Sequence, residues 1–143
     1  MQSKPPIEVL RENGLRVTAI RMAVLESLTD HAHLPAEEVL ELVRSRLGTA
    51  SMQSVYDTLH TLTHAGIVNE IEPAGHPARY ELRVGDNHHH MICRICGRIE
   101  DVDCSVGISP CLAPAQQYGF VLEVAEVTYW GLCPLCAAQQ VSS

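Results

Sequence analysis

Ser51-Met52-Gln53-Ser54-Val55-Tyr56-Asp57-Thr58-Leu59-His60-Thr61-Leu62-Thr63-His64-Ala65-Gly66-Ile67-Val68 is the stretch on which the fold of this chain turns. Ser51 is a good N-cap, because its hydroxyl can accept from a free amide of the first turn. Met52, Val55, Leu59 and Leu62 recur at helical spacing and predict one buried face. The other face is polar: Gln53, Ser54, Asp57, Thr61 and His64. Ala65-Gly66 ends the helix and Ile67–Ile71 reads as a strand. A polar helix face can be merely solvated; it can also be what a helix shows to a DNA groove, with Tyr56 placed for a base edge or a thymine methyl.

Upstream the sequence reads as helices. Residues 5–12 form a short one stopped by Asn13-Gly14. Thr18 caps a second, with Ile20, Val24, Leu25 and Leu28 on one side. Residues 35–47 make a third, opening on Pro35 and two glutamates, carrying Val39, Leu40, Val43 and Leu47, and closing at Gly48. Downstream, a second strand at Ala78–Leu82 is separated from the first by Pro73-Ala74-Gly75-His76-Pro77, a turn composition. Three helices followed by a hairpin give the order of a winged helix-turn-helix.

After residues 84–87 the texture changes. Residues 88–103 and 120–131 read as strands, and Ser109-Pro110 can start a helix that Pro114 limits. Two C-x-x-C pairs, Cys93/Cys96 and Cys133/Cys136, have the spacing of knuckles that each present two thiolates to one metal. Together they predict a closed tetrahedral zinc site without an open position for catalysis. The competing reading is two redox pairs; Cys104 and Cys111 lie outside the pattern. The predicted architecture is therefore α+β: an N-terminal winged helix-turn-helix domain over 1–83, a hinge over 84–87, and a small zinc-containing α/β domain over 88–143.

Within His88-His89-His90, strand alternation puts His88 and His90 on one face and His89 on the other. Such a pair suits Fe, Zn, Mn or Ni, although a solvated His-rich loop is the plain alternative. Glu81 and Asp101 are candidate carboxylates, and His31-Ala32-His33 offers a further imidazole. The net charge of −7 does not advertise nucleic-acid binding. Residues 1–83 carry eight Lys/Arg against eleven Asp/Glu, and residues 84–143 two against six. The local exception is the first 21 residues, where Lys4, Arg11, Arg16 and Arg21 face Glu8 and Glu12. A bound divalent cation would offset part of the acidity, so contact with an anionic partner should depend on metal loading. No stretch approaches membrane-spanning length and the N-terminus lacks an apolar signal core, so a cytoplasmic protein is expected.

Taken together, the chain resembles the ferric uptake regulator (Fur) family along essentially its whole length. The resemblance is carried by Gly14-Leu15-Arg16-Val17-Thr18 with Arg21, Ala32-His33, Ser51 to Val68, Arg79-Tyr80-Glu81, His88 to Gly97, and Tyr129-Trp130-Gly131-Leu132-Cys133-Pro134-Leu135-Cys136. Arg83 to His90, Asp101-Val102-Asp103-Cys104 and the Tyr-Trp-Gly-Leu-Cys ending look like the peroxide-responsive branch that represses catalase and catalase-peroxidase genes.

The resemblance implies a homodimeric, metal-dependent repressor of a palindromic double-stranded operator, with structural zinc on the four cysteines. It implies a regulatory Fe(II) or Mn(II) held by His33, Glu81, His88, His90 and Asp101. Asp at 101 goes with peroxide response and Glu with iron-level sensing, and Glu100 next to it makes the strand register matter. In that branch iron-driven oxidation of His33 and His88 releases DNA. Expected DNA contacts are Arg16, Arg21, Ser51, Gln53, Ser54, Tyr56 and Asp57.

Two departures stand out: Glu123–Val127 holds no histidine for the family's further metal site, leaving His89 a lesser role, and Asp57 stands where many members have Arg or Asn. The rivals are a zinc- or iron-uptake regulator of the same family, a switch through cysteine oxidation, and, from another class, a zinc-dependent hydrolase. The last lacks a nucleophile or base outside the proposed ligands, so no enzyme is expected.

Overall fold

The computed structural model describes residues 4–73, 75–83, 88–103, 113–122 and 125–141. Its contacts divide the chain into two compact units, Met1–Glu72 with Pro77–Val84, and Pro73–His76 with Gly85–Ser143. The hinge expected over 84–87, the helix expected from Ser109, and Cys104 and Cys111 fall outside the described residues.

The first unit runs α1 (Pro6–Glu12), α2 (Ala19–Asp30), β1 (Leu34–Pro35), α3 (Ala36–Leu47), α4 (Met52–His64), β2 (Val68–Ile71) and β3 (Arg79–Leu82). The capping residues act as the sequence predicts. Thr18 accepts from the Arg21 amide at 3.2 Å and Ser51 from the Ser54 amide at 3.1 Å. Glu37 and Glu38 sit in the first turn of α3, and Arg44 and Arg46 in its last, each sign complementing the helix dipole. Gly48, at φ 83°, terminates α3 in a conformation that a side chain would strain.

The buried faces of the helices meet in one core that includes Leu10, Val24, Leu25, Leu28, Val39, Val43, Val55, Leu59 and Leu62. Leu47 does not join it. It is 40% exposed, because α3 stops there before its stripe comes round to the core again. β1 was not legible: two residues show no periodicity, and Pro35 argues against a strand except at an edge. It occupies that edge, in a sheet of order β1-β3-β2 with Leu34 opposite Tyr80 and Glu81 opposite Asn69. Helices followed by this hairpin form the winged helix-turn-helix.

The second unit holds β4 (His88–Cys93), β5 (Ile99–Asp103), β6 (Thr128–Gly131) and α5 (Pro134–Val141). The sheet order is β5-β4-β6, with β4 antiparallel to β5 and parallel to β6. The strand expected over 88–103 is thus two strands. Cys93 to Arg98 form the turn between them: the Gly97 amide donates to the Cys93 carbonyl and the Cys93 amide to the Arg98 carbonyl, both at 2.9 Å. Of the strand expected over 120–131, Thr128–Gly131 alone among the described residues pairs in the sheet. α5 was not anticipated, although Pro134 at its start and Ala137-Ala138 within it are favourable helix residues. Among the described residues no helix is long and apolar enough to cross a membrane.

Candidate metal centres and nucleic-acid interface

The β4–β5 turn supplies Cys93 and Cys96; the end of β6 and the start of α5 supply Cys133 and Cys136. The four sulfurs all lie within 4.8 Å of one another. Cys96 Sγ and Cys133 Sγ are 3.8 Å apart, far beyond a disulfide. A zinc–sulfur bond of about 2.3 Å in a tetrahedron puts sulfurs about 3.8 Å from one another, so the donor set fits that ion.

Three of these thiols are shifted, and not all in the same direction. The amides of Cys96 and Cys133 hold the Cys93 thiol down to about 5, against the upward push of burial. The Cys136 amide lowers Cys133, whereas Cys136 is pushed up to about 12, first by its hydrogen bond to Cys133 and then by burial. A divalent cation bound among the four sulfurs would favour the thiolate form of each. Arg98 has its own pKa raised, mainly by the Glu100 carboxylate it grips at 2.8 and 3.0 Å, with Cys133 and Cys96 adding to the effect.

In the first unit, the pairing of Leu34 with Tyr80 brings His33 level with Glu81. His33 Nε2 lies 3.0 Å from Glu81 Oε2, and both side chains are largely buried. His33 has φ 59°, an uncommon left-handed conformation that turns its side chain back against β3. Two residues not anticipated from sequence support the pair. Asn69, opposite Glu81 on β2, donates to Glu81 Oε1 at 3.3 Å, and Arg79 Nη1 donates to the His33 carbonyl at 3.4 Å. Asn69 carried a signal: a short amide in the middle of a strand usually has a polar partner.

In the second unit, His90 pairs across the ladder with Asp101, their Nε2 and Oδ1 3.3 Å apart. Glu100 pairs instead with Met91 and is gripped by Arg98. The register therefore puts Asp101, and not Glu100, opposite His90. His88 sits in β4 opposite Asp103, and its side chain lies outside the described residues. His89 is 4% exposed and its Nδ1 accepts from the Val127 amide at 3.1 Å, while the Val127 carbonyl accepts from the His90 amide at 3.2 Å. One role of His89 is thus to hold the approach to β6.

On α4, Gln53, Ser54, Tyr56 and Asp57 are all exposed. Ser51 is engaged as a cap and also donates to Ser54 Oγ at 2.8 Å. Gln53 donates to Asp57 Oδ1 at 2.9 Å. Arg21 donates to the Arg16 carbonyl at 2.8 Å, which fixes the chain just ahead of α2.

Comparison with known proteins bears on the fold and the family. The chain is 54% identical over 135 residues to transcriptional regulator FurA of Mycobacterium tuberculosis, covering 94% of this chain and 92% of that one. Its fold is similar to that of the ferric uptake regulator from Pseudomonas aeruginosa, with a TM-score of 0.74 at 24% identity over 92% of this chain and 99% of that one. It is also similar to the Campylobacter jejuni peroxide stress regulator, with a TM-score of 0.66 at 25% identity over 91% and 98% of the two chains. Residues 12–129 match the ferric uptake regulator family, and the chain belongs to that family.

Proposed function

We propose that this family member is a peroxide-responsive transcriptional repressor that binds operator DNA as a dimer when loaded with Fe(II) or Mn(II). In this reading residues 1–83 bind DNA, 84–87 are the hinge and 88–143 dimerise, in the cytoplasm and without catalytic turnover. Zinc on Cys93, Cys96, Cys133 and Cys136 would hold the second unit together. Dimerisation is supported by the apolar surface of that unit: Met91, Tyr129 and Trp130 are each about half exposed beside a groove of about 360 Å³. Two-fold symmetry would call for a palindromic operator.

His33, Glu81, His88, His90 and Asp101 would hold the regulatory ion. The support is in the donor pairs: 3.0 Å for His33–Glu81 and 3.3 Å for His90–Asp101. Neighbouring donors on an octahedral ion with bonds of about 2.1 Å lie about 3 Å apart. Iron(II) bound there would supply electrons to hydrogen peroxide. His33 and His88 would be the side chains that gain oxygen, and a ligand so altered no longer donates as before.

The observation that carries the peroxide reading is the register of β4 and β5, which sets Asp101 rather than Glu100 beside His90. The family's own description, ferric uptake regulator, favours a second reading as an iron-uptake regulator. One experiment separates them. Protein loaded anaerobically with Fe(II) or Mn(II) is treated with peroxide, and binding to a duplex selected from a random pool is measured with the masses of the His33 and His88 peptides. Loss of binding with one added oxygen on either histidine, for iron and not manganese, is the expected result. Equal response with both metals, or unmodified histidines, refutes the oxidation mechanism. Binding that tracks free iron alone would favour the second reading.

A further inference from the structure

Gln53 and Asp57 lie one helical turn apart on α4, and the Gln53 amide nitrogen donates to Asp57 Oδ1 at 2.9 Å. A carboxylate only accepts, so the orientation of this amide is fixed by chemistry: nitrogen toward Asp57, oxygen away from it. The nitrogen carries two hydrogens and one is taken. The amide is left with one acceptor and one donor. Gln53 is also the second residue of α4, at the end of a recognition helix that meets base edges.

Adenine presents an N6 donor and an N7 acceptor in the major groove, whereas guanine presents two acceptors, O6 and N7. A free glutamine amide can serve either base, by offering oxygen and one hydrogen to adenine or two hydrogens to guanine. With one hydrogen held, the guanine mode is closed. The Asp57 carboxylate adds repulsion toward guanine's acceptors. We propose that Asp57 is a positioning residue for base readout, holding Gln53 so that it selects adenine over guanine; this rests on the DNA-binding reading above. A carboxylate that costs affinity against phosphates would then be kept for selectivity.

The test uses the full chain with Mn(II) and a pool of randomised duplexes, read by sequencing the bound fraction. Wild type is expected to favour adenine over guanine by about tenfold or more at one position of each half-site. Asp57→Ala should enrich the same site with that preference reduced to near parity and other positions unchanged. Asp57→Asn keeps an acceptor oxygen for Gln53 without the charge, and should retain the preference. Gln53→Ala should lose it, and adding Asp57→Ala to that variant should change nothing further at the position. Both side chains are exposed, so the variants are expected to fold. An unchanged preference in Asp57→Ala, or its loss in Asp57→Ala and Asp57→Asn alike, overturns the positioning role. A wild type that enriches no sequence overturns the DNA-binding reading itself.

Discussion

Cys96→Ser should unfold the second unit while leaving the first folded. Cys96 is exposed, so exchanging sulfur for oxygen disturbs little packing and the substitution acts through metal binding. Among the described residues of the second unit, apolar burial is slight. Its buried hydrophobic residues among those described are Ile92, Ile99, Cys93 and Cys136, and two of those four are candidate ligands. Burying the two isoleucines contributes about 3–6 kcal/mol before ordering costs, whereas a structural zinc site contributes about 10–16 kcal/mol. The metal therefore outweighs the burial of these two side chains. Trp130, the only tryptophan, reports on this directly: it lies on β6 opposite Ile92, close to where the paired strands run into the cysteines. Under a thiol reductant, zinc content and Trp130 fluorescence would be followed during chelation of wild type and in Cys96→Ser. Red-shifted emission and loss of the Trp130 unfolding transition should accompany metal loss, with most of the helical circular dichroism retained. A metal-free protein with unchanged Trp130 emission and an unchanged cooperative transition would refute the reasoning.

Other outcomes follow from single contacts. Ser51→Ala removes the α4 cap and should cost about 1 kcal/mol in urea unfolding of the first unit, whereas Leu59→Ala, fully buried, should cost about 2–5 kcal/mol in the same assay. His89→Ala leaves the Val127 amide without its ring acceptor and should destabilise the second unit by about 1–3 kcal/mol, read by Trp130 fluorescence in urea. Tyr80 is raised to about 12 from 10.0, by burial first and Glu70 second. The fold thus favours its neutral form. That stability is fully present below pH 10 and is lost as pH rises toward 12, amounting to about 1–2 kcal/mol. Tyr80→Phe should remove this alkaline slope in pH-dependent unfolding.

Legibility in the sequence followed the length of each pattern. α4 declared itself through four apolar positions at helical spacing and a cap at Ser51. The cysteine pairs declared themselves because metal geometry constrains spacing tightly. β1 failed because two residues carry no periodicity; its existence depends on β3, more than forty positions away. α5 was obscured because Cys136 was read as a ligand and not also as part of a buried helix face. The candidate ligands were visible as residue types and, as a set, through the resemblance to the family, but not as a geometry. What brings His33 to Glu81 is the β1–β3 register together with a left-handed turn at His33, and neither is written in local composition. Asn69 and Arg79 escaped for the same reason, since their partners are distant in sequence. Asp57 was an anomaly until its contact with Gln53 gave it a physical role.

The parallel pairing of β4 with β6 has a consequence for the order in which the molecule assembles. β4 and β5 are joined by a short turn, so their ladder can zip soon after Asp103 is made. β6 has to return from much further along the chain. Cys96 and Cys133 are 37 positions apart, and closing such a loop costs about 2 kcal/mol more than closing the three-position step from Cys93 to Cys96. The first cysteine pair therefore waits as an accessible dithiol until the segment carrying Cys133 and Cys136 has been synthesised. During that interval the chain is most open to oxidation or to capture of the wrong soft metal, and a truncation just before Cys133 would make the interval permanent.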